Sequence, residues 1–281
     1  MTVAIFGNTN KRCTIEEVQH ILDFMREHDV RVFLSAELRN EMHIREEYPL
    51  FQSDADLSVD FAISIGGDGT FLTTAMQVGT LGIPILGINC GSLGFLADVK
   101  TDDVDHVLEQ LLGGNYTIED RTVLEVTSNK GLSVSPFALN EVAILKQELA
   151  SMIAIEAQLD GEPLHDYHGD GLIISTPTGS TAYNLSAGGP IVMPQSRVTV
   201  LSPVASHSLN VRPLVVPDDR QLDLRVQSRT GAFLISIDGR SQRLTEEVQL
   251  HVQKAPFTIR LVRIDNHSFI NALKTKLNWG V

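Results

Sequence analysis

The chain has 281 residues, with 22 basic against 35 acidic side chains and a formal net charge of −13, which excludes a basic nucleic-acid binder. Apolar residues make up 43% and charged residues 20%, so one large or two ordinary domains with a substantial core are expected, outside the disordered classes. Cys13 and Cys90 are the only thiols and share no metal-ligand spacing; a reducing, cytoplasmic setting is expected.

The start at Met1 has neither a basic segment nor a long apolar run, so no signal peptide is expected. Val3 to Phe6 reads as a short strand, and Thr14 with Glu17 as a capping box for a helix whose Ile15, Val18, Leu22 and Met25 share one face. Further strands are predicted over Val30 to Leu34, Val59 to Ile65 and Ile83 to Ile88, with a helix from about Phe71 to Val78. Residues 36–56 are polar and acid-rich with little periodicity and read as a mobile excursion. Residues 69–97 lack acidic and basic side chains, but five glycines and a proline between 79 and 94 break the stretch, so it reads as buried strand and loop rather than a membrane span. Thr101 is expected to cap a helix that ends at Gly113-Gly114. Alternating strand and helix predict a mainly parallel α/β domain over residues 1–117.

The texture then changes. Alternating segments at 123–127, 137–145, 152–159, 172–175, 198–201, 222–226, 232–237, 248–252 and 258–262 predict a β-rich domain over residues 118–264, and Asp160-Gly161 marks a hairpin. Residues 265–281 read as a helix, with Phe269, Leu273 and Leu277 on one face, returning to the first domain.

Three features carry chemistry. Gly66-Gly67-Asp68-Gly69-Thr70 follows a strand and opens a helix, where open α/β sheets bind ligands and amide groups approach phosphate oxygens. A carboxylate there suits proton acceptance from a hydroxyl or the orientation of a metal; the alternative is a cap on the following helix. There is no G-x-x-x-x-G-K-[ST] run, and Leu72 stands where a dinucleotide fingerprint needs its third glycine. The second feature runs from Gly169-Asp170-Gly171 through Thr178-Gly179-Ser180-Thr181-Ala182-Tyr183 to Gly188-Gly189-Pro190, with no charged side chain over 171–196. Hydroxyls, small residues and amides of this kind suit a nucleotide's ribose and pyrophosphate, or a plain turn. The third is Asn140-Glu141, a polar pair inside an apolar strand pattern, whose partners are neighbouring backbone or the vicinal hydroxyls of a ribose. His165 and His168, which flank Asp166, read as structural or solvent-exposed on a loop.

Together these residues resemble the NAD kinase family over essentially the whole chain, in order: Gly66 to Thr70, Asn140-Glu141, Asp170-Gly171 through Gly189, and the ending Lys276-Leu277-Asn278-Trp279-Gly280. The first motif is shared with diacylglycerol and sphingosine kinases; the second loop discriminates. The resemblance implies an α/β domain, a β domain and a site in the cleft between them. It implies transfer of the ATP γ-phosphoryl group to the 2′-hydroxyl of the adenosine ribose of NAD, giving NADP, with Asp68 as the base. It implies NAD binding by Gly67, Asp68, Gly69, Asn140, Glu141, His168, Asp170, Thr181, Ala182, Tyr183, Ser186 and Ala205, and phosphate cradling by Gly66, Gly67, Gly69, Thr70, Gly179 and Ser180. A divalent cation, usually Mg²⁺, would be carried mainly by nucleotide phosphates, and homo-oligomers are expected, dimers or tetramers, without nucleic-acid or membrane partners. Many bacterial relatives carry Arg where this chain has His168, a position linked to oxidised versus reduced cofactor, and some relatives accept polyphosphate. Competing readings are a lipid or sugar kinase, a non-catalytic dinucleotide-binding regulator and an oxidoreductase.

Overall fold

The computed structural model describes residues 1–9, 12–42, 48–52, 58–91, 94–148, 151–264 and 268–280, apart from the side chain of Arg12. Two compact units emerge: Met1–Asp120 with Ile259–Val281, and Arg121–Thr258.

The first unit contains β1 (Thr2–Gly7), α1 (Arg12–Glu27), β2 (Arg31–Leu34), α2 (Ala36–Glu41), β3 (Phe61–Gly66), α3 (Asp68–Val78), β4 (Ile85–Asn89), β5 (Val99–Lys100) and α4 (Val104–Leu112). Its strands run parallel in the order β2-β1-β3-β4, with β5 also on β4. Every residue of β3 and β4 is buried, as expected for strands covered on both faces. Val18, Ile21, Leu22 and Met25 of α1 and Val104, Val107, Leu108 and Leu111 of α4 close the core over Ile5, Ile63 and Ile65. Burial of each such side chain contributes about 1.5–3 kcal/mol.

Local readings need correcting here. α1 begins at Arg12, so Thr14 lies buried within the helix and is not its cap. Ile21 takes the buried position expected of Ile15, which is exposed. Thr101 opens a 3₁₀ turn, and α4 starts after Asp103 without a side-chain cap. The excursion expected over 36–56 contains α2, capped by the Ser35 hydroxyl, which accepts from the Leu38 amide; residues 43–47 and 53–57 lie outside the described residues. Among the described residues no helix is long and apolar enough to cross a membrane.

The second unit follows through β6 (Thr117–Ser128), which begins in the first. It then has β7 (Phe137–Ala138), β8 (Glu141–Lys146), β9 (Ile153–Leu159), β10 (Glu162–Gly169), β11 (Gly171–Ser175), the short helix α5 (Tyr183–Ser186), β12 (Val198–Val204), β13 (Leu214–Pro217), β14 (Leu222–Ser228), β15 (Ala232–Ile237) and β16 (Arg240–Thr245). β17 (Gln249–Arg263) begins in this unit and ends in the first, where α6 (Phe269–Leu277) follows. An antiparallel sheet runs β13-β12-β11-β8-β15-β16, and a second runs β10-β9-β14-β17. Alternate residues of both, including Val142, Ile144, Leu172, Ile174, Ile155 and Leu224, meet in one core.

The strand expected over 137–145 is broken at Leu139 and Asn140, so Asn140 sits in a bend and Glu141 at the first position of β8. The two segments expected at 248–252 and 258–262 form the single strand β17. His165 and His168 lie on β10, not on a loop.

Candidate functional site

In the first unit the strand order reverses between β1 and β3, where an open α/β sheet leaves a crevice at its carboxyl ends. A cavity of about 410 Å³ opens there, lined by Gly7, Asn8 and Thr9 after β1, Glu37 and Glu41 of α2, and Gly69, Thr70 and Thr73 of α3. Asp68 is the first residue of α3, and Gly67 is the cap residue without a side-chain bond. The Asp68 carboxylate does not cap its own helix. It accepts three consecutive backbone amides from the segment after β4: Phe95 on Oδ2 at 2.9 Å, and Leu96 and Ala97 on Oδ1 at 3.0 Å each. Gly94 makes room for this reach, since a Cβ there would lie 2.0 Å from Asp68 Oδ1. Lys276, in the last turn of α6, places Nζ 3.5 Å from Asp68 Oδ2 and 4.3 Å from the centre of the Phe95 ring. The Asp68 side chain remains 30% exposed. Three amides and an ammonium group use the four lone-pair positions of a carboxylate, and the lysine, at the longest distance, is the contact easiest to replace.

The candidates of the second unit fall into two groups. Asn140 and Glu141 lie at the Ser175 end of the β8–β11 ladder, and Asp170 lies just beyond Gly171 at the other end. At about 3.3 Å per residue the length of β11 separates them by roughly 16 Å.

Around Asn140 the backbone is held from two sides. Thr176 donates its hydroxyl to the Leu139 carbonyl at 2.6 Å and its amide to the Asn140 carbonyl at 2.9 Å. Gly179 packs so tightly that a Cβ would lie 2.1 Å from the Asn140 carbonyl oxygen. On the other side the Asp238 carboxylate accepts the amides of Leu139, Asn140 and Glu141 at 2.7, 2.9 and 3.0 Å. Glu141 is only 9% exposed. Burial, and then the Asp238 carboxylate beside it, push its carboxyl up to about 7, while the Tyr183 amide pulls the other way. Its Oε2 is buried without a hydrogen-bond partner.

The segment 178–189 is not an irregular loop. Thr178–Thr181 forms a 3₁₀ turn and runs into α5. Asn184 anchors it, fully buried: its amide donates to the Ser180 and Pro190 carbonyls and its Oδ1 accepts the Ser202 hydroxyl at 2.6 Å. Ser180 is also fully buried, its hydroxyl exchanging bonds with the Val192 backbone, and Gly179 is buried on Asn140. Both amides are already bonded, Gly179 to the Thr176 hydroxyl at 3.1 Å and Ser180 to the Pro177 carbonyl at 3.2 Å. Gly66 is buried as well, whereas Gly67, Gly69 and Thr70 are accessible. Thr181 and Ala182 are half-buried, and Tyr183 and Ser186 are exposed.

At the other end of β11, Lys146 Nζ lies 2.6 Å from Asp170 Oδ1. His168 is exposed and its carbonyl accepts the His207 amide, which brings Ala205 beside Gly169. Ala205 is exposed and holds a left-handed backbone, φ 44°, which is uncommon for a residue with a Cβ and costs about 1–3 kcal/mol.

Sequence reasoning missed Asp238, Thr176 and Asn184. Asp238-Gly239, after the alternating stretch 232–237, is a hairpin signal that pointed to the first; Thr176 bonds backbone, and Asn184 backbone and the Ser202 hydroxyl, contacts that have no sequence signature.

Residues 3–116 match the ATP-NAD kinase N-terminal domain family and residues 139–264 the ATP-NAD kinase C-terminal domain family. The chain belongs to the NAD kinase family. The NAD kinase of Bacteroides fragilis is 43% identical over 285 residues, covering 100% of this chain and 98% of the relative. That of Porphyromonas gingivalis is 50% identical over 222 residues, 79% of this chain and 77% of the relative. Among solved structures, an NAD kinase from Archaeoglobus fulgidus in complex with ATP superposes with a TM-score of 0.73 at 26% identity, covering 99% of this chain and 97% of that one. Yeast NADH kinase complexed with NADH shares the fold, with a TM-score of 0.90 at 23% identity over 100% of this chain and 88% of that one. As in other NAD kinases, an α/β domain with a mostly parallel sheet precedes a β-rich domain.

Proposed function

We propose that this chain transfers the γ-phosphoryl group of ATP to the 2′-hydroxyl of the adenosine ribose of NAD, giving NADP, with Asp68 accepting the hydroxyl proton. The observation that carries this reading is the presentation of Asp68, a part-exposed carboxylate fixed by three amides at the N-terminus of α3 in a chain of the NAD kinase family. Phosphoryl transfer asks mainly for positioning, charge neutralisation and a base for the attacking hydroxyl. The incoming hydroxyl takes the position on Oδ2 that Lys276 holds at 3.5 Å. Gly67, Gly69 and Thr70, accessible at the start of α3, suit phosphate oxygens. The donor assignment is supported by the ATP bound to the Archaeoglobus fulgidus relative.

Glu141, with an unpartnered Oε2, and Asn140 would take ribose hydroxyls. Thr181, Ala182, Tyr183 and Ser186 would line the dinucleotide site, and Asp170, His168 and Ala205 would bind at the other end of β11. Among the described residues no group of three or more His, Cys, Asp or Glu is placed to hold a metal; the divalent cation of this proposal is bound by the nucleotide phosphates and supplies charge neutralisation. A cytoplasmic setting and a dimer or tetramer remain part of the proposal.

A second reading comes from the same bonds: Asp68 serves only to anchor 95–97, its lone pairs being already engaged. Incubation with NAD, ATP and Mg²⁺, with NADP read through an NADP-specific dehydrogenase, tests the reaction, and Asp68→Asn alongside separates the two roles. Lost turnover with retained NAD affinity and melting temperature supports the base. Loss of turnover, affinity and melting temperature together supports the anchor, and absence of NADP from the wild type overturns the proposal.

A further inference from the structure

The turn that joins β15 to β16 does more than reverse the chain. Asp238 opens it with a left-handed backbone, φ 47°, and its amide donates to the Glu141 carbonyl at 3.1 Å, while its carboxylate takes the three amides of 139–141. Two residues on, Arg240 donates to the Phe137 carbonyl at 2.7 Å and to the Ile237 carbonyl at 3.0 Å. One turn therefore grips the segment from Phe137 to Glu141, the place where the strand pattern breaks and Asn140 leaves the ladder. Leu139 and Asn140 fall between β7 and β8, so their amides are held by this turn while Thr176, just after β11, holds their carbonyls from the other side.

We propose that Asp238 is a positioning residue for NAD: it sets where the Asn140–Glu141 pair stands and, by its charge, how readily Glu141 offers a free carboxylate to a ribose. The proposal rests on the reading of Asn140 and Glu141 as ribose ligands. The Asp238 carboxylate bonds only backbone amides among the contacts given above, so its effect on NAD runs through the neighbouring pair. The groups that face Glu141 are the Asp238 carboxylate from the β15–β16 turn, the Tyr183 amide from α5 and the uncharged Ser175 across the ladder on β11. Arg240, from β16, faces Asp238 and favours its ionised form. Removal of the Asp238 charge removes a repulsion, so Glu141 ionises at lower pH. Loss of one acceptor leaves an amide of the bend unpaired.

Steady-state kinetics of the full chain, with NAD varied at saturating ATP and Mg²⁺ over a series of pH values, tests this with Asp238→Asn, Asp238→Glu and Glu141→Gln. Asp238→Asn keeps Oδ1 for two amides and turns the other position into a donor facing the Leu139 N–H. The expected result is a rise in KM for NAD of about tenfold with a smaller change in kcat, and a shift of the inflection in kcat/KM to lower pH. Asp238→Glu keeps the charge and displaces it, so KM should rise while the inflection stays near that of the wild type. A merely structural residue would lower the melting temperature without moving the inflection. An unchanged KM and inflection in Asp238→Asn would overturn the proposal, as would failure of both Asp238 variants to fold. If instead Glu141→Gln leaves KM and the inflection untouched, it is the ribose reading of Glu141 that fails.

Discussion

Asp68 in the first unit and Asp238 in the second each take the amides of three consecutive residues, 95–97 and 139–141, and each takes the first on Oδ2 and the next two on Oδ1. The surroundings differ. Asp68 has an ammonium group 3.5 Å away. Asp238 has a second carboxylate, Glu141, beside it, and burial raises its own proton affinity against the pull of the three amides. A carboxylate bonded to backbone amides is fixed in place without large hydrophobic support, so one device can present itself or present its neighbour. In the proposed reaction the clamped carboxylate of the first unit is the chemical group, and in the second the clamped segment would carry it.

The largest test of this difference is Asp68→Asn. General-base assistance accounts for about 10²–10⁴ in rate, so kcat should fall by that range while KM for NAD changes little. A loss of less than tenfold would mean that the first clamp, like the second, acts by holding its neighbours in place and not as the reacting group. Next come the two close glycines. Gly179→Ala drives a methyl group into the Asn140 backbone, 2.1 Å from its carbonyl oxygen, whereas Gly94→Ala meets the Asp68 carboxylate at 2.0 Å and the Ala97 carbonyl at 2.6 Å, so it disturbs the clamp itself as well as backbone. Gly179→Ala should therefore lower the melting temperature of its unit, and destabilisation of about 3 kcal/mol is reasonable for backbone overpacking. Gly94→Ala should destabilise the chain as well and cost more turnover, because it displaces Asp68. Thermal melts and NADP assays on both variants check this, and equal losses of turnover would remove the contrast.

Glu141→Gln ranks third and carries a sign. The folded value near 7 lies above the ordinary carboxylate range, so the group contributes stability that is present at acid pH and is lost as pH rises through 7. Above that pH the wild type bears a desolvated charge that glutamine lacks. At about 1.36 kcal/mol per pH unit the variant should be more stable at alkaline pH by up to about 3 kcal/mol, and no more stable at pH near 4. Its KM for NAD should rise. Higher alkaline stability together with weaker NAD binding is what a charge kept for a ligand predicts, and a uniform loss of stability across pH would contradict it.

Much of the first clamp was visible in the sequence and little of the second. Gly66 to Thr70 announces itself because glycines beside a carboxylate after an apolar run have few structural explanations. The partners at 95–97 do not, since any residue offers an amide. The same holds for the fold. Strands buried on both faces, β1, β3 and β4, read as apolar runs, whereas β10 and β16 face solvent through most of their length and read as polar loop, and β13 is a short edge strand. The break at Leu139-Asn140 was hidden because Phe137 to Leu145 is apolar on both sides of it; only the Asp-Gly turn 98 residues later, with Asp238 bonding Asn140, supplies the reason.

Lys276 gives the smallest and most discriminating test. Its contacts are a half-exposed ion pair at 3.5 Å and the Phe95 ring at 4.3 Å, each worth about 1 kcal/mol or less. Lys276→Met keeps the apolar stem against Phe95 and removes the charge, so the melting temperature should hardly move. If the ammonium group only fills the fourth position on Asp68 until a hydroxyl arrives, kcat should stay within about tenfold of the wild type, short of the roughly 10²-fold lower limit for a direct catalytic group. A hundredfold loss with an unchanged melting temperature would mean that Asp68 does not work alone. The clamp in the first unit would then present a pair, as the clamp in the second does, and the two would differ in the sign of the partner rather than in kind.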